Sequence, residues 1–444
     1  MTNIDKISNK QIMLIFIPIV LQQCIMNVLN IIDNFMAGRF GDVFISGITI
    51  VNRAFTIPNS MFMGLIAACA VFISQYHGKE DKENIIKVFK ISIDVSIIML
   101  LPFIIIGIFF PDFIVSLFTK DLRVIEFGAI YMRLVALSLL PYMLSQCIAN
   151  SLRSIGQVRT SLIINFVVVF AKISLNYVFL YFPFNLGIVG AGLSLILSRL
   201  IELCLYLFLM KSSSSLFAIK PLLKAKYDFQ MVKKIMAKML PLGLNELLYG
   251  IILSLLYVQY GSYNSETLAG YSIALTYYEL FRVLFGSIGM TMNIFVLPSL
   301  GRKEFDNAKL RANKCFRFGI MVSLILAIVM YISSYSITSI YSGTAASLET
   351  GTRILRIIAL MFPFTTLHSL FYFIFRSGGD NFSILIVDSL FMLCVTVPIQ
   401  YLCIHVFKMN IYTTLVTVES MYLVKCYIAI IRIKKGVWLK NLTG

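Results

Sequence analysis

The chain has 444 residues, 59% of them apolar and 13% charged, at a mean hydropathy of +0.87. That balance excludes a soluble globular domain and leaves no polar block long enough for a separate catalytic or regulatory domain. The formal net charge of +17 would suggest nucleic acid in a soluble protein, so the question here is where the cations lie relative to the apolar segments.

A transmembrane helix needs roughly 20 mostly apolar residues. In chain order the hydropathy pattern predicts helices at about 12–36, 44–75, 85–110, 125–150, 157–182, 187–210, 235–260, 266–296, 311–334, 348–376, 382–406 and 411–433. With the N-terminus placed in the cytoplasm, 26 of the 38 Lys and Arg residues fall in segments on that side. Six fall outside (Arg39, Lys120, Arg123, Arg353, Arg356 and Lys408) and six within spans (Arg53, Arg133, Lys172, Arg199, Arg282 and Lys425). The positive-inside rule therefore predicts a multi-pass plasma-membrane protein with both termini cytoplasmic. No cleavable signal pattern precedes the first apolar stretch, which is expected to remain as helix one. The eight cysteines lie in or at the ends of spans without paired spacing, and they read as small core hydrophobes rather than zinc ligands or disulfides.

Sliding the sequence against itself by 223 positions aligns Pro18 with Pro241, Gly47 with Gly270, Gly78 with Gly301, Arg133 with Arg356, Arg153 with Arg376, Gly156 with Gly379 and Asn165 with Asp388. No gap is needed. Each half then holds six spans, an even number, so the halves are parallel repeats related by an axis along the membrane normal. The expected division is an N-lobe over 1–210, a cytoplasmic linker over 211–234 and a C-lobe over 235–444. An all-α membrane protein of twelve helices in two six-helix lobes implies a cleft between lobes and alternating access. No filter element of a channel occurs. Nor does a nucleophile elbow, a phosphate loop or a metal-binding spacing, so an enzyme is not expected.

The stretch Asp33-Asn34-Phe35-Met36-Ala37-Gly38-Arg39-Phe40-Gly41 after Pro18, the sequence Gln75-Tyr76-His77-Gly78, and Arg376-Ser377-Gly378-Gly379-Asp380 resemble the multidrug and toxic compound extrusion (MATE) family. The resemblance spans essentially the whole chain. It implies a secondary antiporter that exports organic, often cationic, compounds in exchange for protons or sodium ions, with no cofactor and no nucleic-acid partner. A monomer in the lipid bilayer is expected. The alternative is a flippase for a lipid-linked saccharide, which would line its cleft with a cluster of cations for the pyrophosphate; none occurs in the sequence.

An ionisable side chain inside a span is costly and marks a functional candidate. Asp33 matches the family's N-lobe cation-coupling aspartate. Its competing reading is an interfacial carboxylate, because 21 residues of helix rise roughly 31 Å. The family's helix-five Asn and Asp correspond here to Lys172 and Asn176, which argues against a sodium site in that lobe and suggests a Lys172–Asp33 pair open to proton coupling. Glu246, after Pro241 on helix seven, lies about a turn before the family's usual glutamate. The family's helix-ten aspartate is missing, with only Thr365 and His368 on offer. Glu246 is the candidate for coupling and for pairing with a substrate cation; Glu279, His368 and Asp388 are further substrate contacts. Tyr249, Tyr278 and Phe281 offer rings to an organic cation, although in a chain with 36 Phe and 22 Tyr a ring-bearing stripe also serves core packing. Arg199 with Glu202, and Glu279 with Arg282, are three residues apart and should pair on one helix face.

Overall fold

A computed structural model describes residues 7–38, 40, 42–181, 183–211, 216–341 and 343–444, and for residues 28–31, 33–35, 37, 38 and 42 the backbone alone. Among the described residues there is no strand, and twelve helices are long and apolar enough to cross a membrane. The first half runs α1 (Asn9–Gly38), α2 (Asp42–Gly78), α3 (Lys82–Phe109), α4 (Pro111–Ser116), α5 (Leu122–Ser154), α6 (Val158–Leu180) and α7 (Gly187–Lys211). After α8 (Ile219–Lys224), the second runs α9 (Phe229–Tyr260), α10 (Ser265–Gly301), α11 (Phe305–Thr338), α12 (Ala345–Ser377), α13 (Asn381–Val406) and α14 (Ile411–Lys434). The six-residue helices α4 and α8 are too short to be seen in a hydropathy window. The spanning helices also outrun their apolar cores by several polar residues, as where α11 begins at Phe305 rather than 311.

The chain packs as two compact units, one of Leu21–Gly243 and one of Met1–Val20 with Leu244–Gly444. The divisions fall inside α1 and α9. In the first unit Phe44, Ile48 and Val51 of α2 meet Val115 of α4 and Tyr131, Met132 and Val135 of α5. In the other, Ile12 and Phe16 of α1 join Ile288, Met292 and Val296 of α10, Phe318 of α11 and Phe373 of α12. A second cluster there gathers Tyr260, Tyr271, Ile354, Phe362 and Leu415.

The 223-residue repeat is written into the backbone of both units. A Cβ on Gly47 would lie 3.2 Å from the Gly128 nitrogen, and one on Gly270 would lie 2.9 Å from the Gly351 nitrogen. Each pair lets two helices approach at the equivalent place, α2 on α5 and α10 on α12. Left-handed turns recur in the same register: Glu80 (φ 60°) with Lys303 (φ 63°), Gly156 (φ 86°) with Gly379 (φ 67°), and Asn185 (φ 45°) with Lys408 (φ 50°). The helix starts after the first of these turns are also alike. Asp81 accepts from Asn84 Nδ2 at 2.6 Å and Glu304 from Asn307 Nδ2 at 3.1 Å.

One helix departs from regular geometry. Within α13, residues Ile386–Leu390, Met392–Thr396 and Leu402–Val406 form π turns. Pro398 stands at the start of the α-helical turn Val397–Tyr401. It has no N–H to give back to the preceding turn, which relaxes the ladder there. Asp388 sits in the first π turn, a distortion that re-aims side chains and is frequent at functional positions.

Candidate functional site

In the unit that contains Leu244–Gly444, charged and polar side chains from α9, α12, α13 and α14 converge inside the bundle. Lys425 Nζ donates to Asp388 Oδ1 at 3.0 Å, and both residues are buried, with 1% and 7% of their surface exposed. Asn245 Nδ2 donates to Asp388 Oδ2 at 3.3 Å. The Asn245 amide is itself oriented by Ser389, whose hydroxyl donates to the Asn245 Oδ1 at 2.7 Å and to its backbone carbonyl at 2.9 Å. His368 Nε2 lies 3.8 Å from Asp388 Oδ1. Tyr422 completes the group: its ring is 5.0 Å from Lys425 Nζ and meets the His368 imidazole edge-on at 5.5 Å. In an apolar interior an unpaired carboxylate would be prohibitively costly, so Lys425 is what permits Asp388 to be there.

Asp388, expected from the sequence as a substrate contact, therefore has its carboxylate already engaged. Glu246, one residue along α9 from Asn245, is different: it is exposed, and its Oε1 accepts from Tyr372 Oη at 2.9 Å. Glu279 is exposed too and holds Arg282 Nε at 2.8 Å, the pairing expected from the spacing of three. Tyr278 and Phe281 rest edge-on against Phe362 at 6.3 and 6.2 Å, at the border of the core cluster around Tyr271 and Ile358. Tyr249 packs against the small cluster of Ile252, Leu256 and Met392.

The unit Leu21–Gly243 contains a cavity of about 490 Å³, whose lining includes Asn52, Asn59, Tyr142, Lys172, Asn176 and Arg199. Spacing of four on α6 turns Lys172 and Asn176 to one face, and Asn176 Oδ1 accepts from the Ser194 hydroxyl of α7. Arg199 Nη1 donates to Glu202 Oε2 at 3.0 Å, while Gln146 Nε2 donates to Glu202 Oε1 at 3.3 Å. The guanidinium lies over the Tyr142 ring at 4.4 Å, and Tyr142 Oη donates to Asn59 Oδ1 at 3.4 Å. Asp33 lies in α1, but its side chain falls outside the described residues, so its pairing with Lys172 is not described either. One turn beyond it, the Met36 carbonyl accepts from Tyr181 Oη at 2.7 Å, which ties this end of α1 to the end of α6.

Several participants are inconspicuous in the sequence: Lys425 stands there as an intramembrane cation without a partner, Asn245 is an uncharged neighbour of the more conspicuous Glu246, and Ser389 and Tyr422 carry no charge at all. The repeat offers the missing signal. The offset that equates Asn165 with Asp388 also equates Glu202 with Lys425, so each half carries one deeply buried charge at the same place on its sixth helix, of opposite sign.

Known proteins resemble this chain along most of its length. The MatE family model matches residues 18–178 and again 241–402, one copy per repeat. A protein of Oceanobacillus iheyensis named "Probable multidrug resistance protein NorM" is 23% identical over 359 residues, covering 78% of each chain. One of the same name from Bacillus subtilis is 23% identical over 305 residues, 68% of this chain and 67% of the relative. Among solved structures, a MATE in the straight conformation superposes with a TM-score of 0.88 at 15% identity over 98% of both chains. An outward-facing multidrug resistance MATE family transporter of the MOP superfamily does so with a TM-score of 0.87 at 16% identity over 97% of both. With a twofold match in register with its internal repeat and the twelve-helix fold throughout, the chain belongs to the MATE family of membrane transporters.

Proposed function

We propose that this transporter is a secondary active multidrug exporter, moving organic cationic compounds by alternating access in exchange for protons or sodium ions. The observation that carries the reading is Glu246: an exposed carboxylate on a spanning helix, hydrogen-bonded by Tyr372, with no lysine or arginine in ion-pairing distance among the described residues. Such a group attracts a cation or a proton. Glu279, Tyr249, Tyr278 and Phe281 supply a second carboxylate and ring faces to the substrate, with His368 and Asp388 deeper in the same unit. Coupling is assigned to Asp33, Lys172, Asn176 and Glu246. The Tyr181–Met36 tie between α6 and α1 supports a Lys172–Asp33 pair that a proton or a substrate cation breaks on entry. The relatives named as multidrug resistance proteins support the substrate class.

The protein is assigned to the plasma membrane as a monomer with both termini cytoplasmic, organised as lobes 1–210 and 235–444 about a linker at 211–234, with no enzymatic activity and no cofactor. Against the saccharide flippase stands the pairing of three of the six intramembrane cations with carboxylates, Arg199 with Glu202, Arg282 with Glu279 and Lys425 with Asp388, which engages them before any pyrophosphate arrives. Ethidium uptake into inverted vesicles of cells expressing Glu246→Gln tests the assignment. Loss of most of the transport is expected, and wild-type rates would contradict it.

A further inference from the structure

We propose that Lys425 is a built-in cation, its ammonium filling a seat that would otherwise take a monovalent metal ion such as sodium. The proposal rests on the antiport reading only for its consequence: the Asp388 centre holds a charge fixed to the chain, and the exchanged ion binds elsewhere.

Every wall of the seat suits a cation. Asp388 presents both carboxylate oxygens inward from the π turn of α13, one to Lys425 at 3.0 Å and the other to the Asn245 amide at 3.3 Å. Asn245 Oδ1 and Ser389 Oγ, 2.7 Å apart, are the next oxygens in the network, and hard cations take such oxygen ligands. The Tyr422 face lies 5.0 Å from the ammonium, where a ring quadrupole favours positive charge. His368 of α12 closes the group at 3.8 Å from Asp388. Further titratable groups of the packed helices that bear on the pair are Glu419, Tyr422 and Cys426 of α14, Tyr372 of α12, and Glu246 and Tyr249 of α9. Lys425 is 1% exposed, so its ammonium has no route to solvent that would explain it as a side chain reaching for the membrane surface. A buried ion pair is also a poor stabiliser compared with apolar groups of the same volume, so packing alone gives no reason for four helices to converge on it.

The proposal predicts that deleting the ammonium opens the seat to a free ion. The full chain in detergent micelles is melted in sodium, potassium or choline chloride at equal ionic strength. Any sodium dependence of the wild type, from an exchanged ion bound elsewhere, should survive Asp388→Asn. Lys425→Met, which keeps the stem's length without the charge, should be stabilised in sodium or potassium over choline by about 3 °C or more, and D388N/K425M should lose that response. A folded Lys425→Met that melts identically in all three salts overturns the proposal, as does a wild-type sodium shift abolished by Asp388→Asn, which would show the seat open to ions already. To keep the test decisive if Lys425→Met is too unstable to isolate in choline, it is purified in parallel in sodium. Recovery in sodium alone supports the proposal; recovery in neither salt, with D388N/K425M recovered in both, contradicts it. None of these readouts involves transport, so their failure is distinct from failure of the exporter assignment.

Discussion

Lys425 of α14 holds Asp388 of α13 at 3.0 Å in the interior of one unit, at the positions that the 223-residue repeat equates with Glu202 and Asn165 of the other. The two halves thus solve the burial of charge differently at one place. The second half pairs acid and base across helices, whereas the first pairs Glu202 with Arg199 three residues earlier on its own helix and adds Gln146 from α5.

Removing one member of the cross-helix pair leaves the other buried and uncompensated, which costs about 3–5 kcal/mol. Asp388→Ala should therefore lower the melting temperature sharply, while D388N/K425M should recover most of it. A single Asp388→Ala change with wild-type melting would mean that Lys425 finds water or another partner.

The repeated glycine contacts make a steric prediction. Gly270→Ala places a methyl group 2.9 Å from the Gly351 nitrogen, inside contact distance, whereas the added Cβ at Gly250 or Gly286 meets nothing within 4 Å. Overpacking should cost about 1–3 kcal/mol at Gly270, and alanine at the other two should be neutral or slightly stabilising because it restricts the unfolded chain. Thermal melting of the three variants checks the order.

Coupling through α1 and α6 is tested by exchanging the charges. Asp33→Asn should abolish acceleration of transport by the ion gradient while retaining counterflow, and the double change D33K/K172D should restore part of the coupling. Unchanged gradient dependence in Asp33→Asn removes that residue from the mechanism.

A pH prediction comes from outside the spans. Burial between α12 and α13 acts to raise the Asp380 carboxyl, but hydrogen bonds from Arg432 at 2.9 and 3.3 Å and its positive charge outweigh this, holding Asp380 below its ordinary range. A depressed value in the folded state means the contribution is fully present above the ordinary carboxylate range, near ~4, and is lost as pH falls through the folded value. Asp380→Asn should therefore show a constant loss of stability from pH 5 to pH 8 and converge with the wild type only in strong acid. Convergence already at pH 5 would contradict the pairing.

The twelve helices and their repeat were legible because hydropathy and local turn chemistry are properties of neighbouring residues: Gly156 and Gly379, or Asp81 and Glu304, announce helix boundaries within a few positions. Intrahelical pairs were legible for the same reason, as with Glu279 and Arg282. The Asp388 centre was not, since Lys425 lies 37 positions away and Asn245 lies 143; a lysine within a span is conspicuous by itself, but nothing local says which acid it meets, and nothing local marks Asn245. Nor does apolar periodicity register the π turns that aim Asp388, because an extra residue per turn in a uniformly apolar helix leaves the pattern intact.

Ion-driven export is tested most directly by reconstitution. The purified chain, reconstituted in proteoliposomes loaded with a cationic dye, is given an inward proton gradient or an inward sodium gradient separately and dye release is followed by fluorescence. Release accelerated by at least one of the two gradients, and abolished by Glu246→Gln, is the predicted result; release indifferent to both would contradict the antiporter.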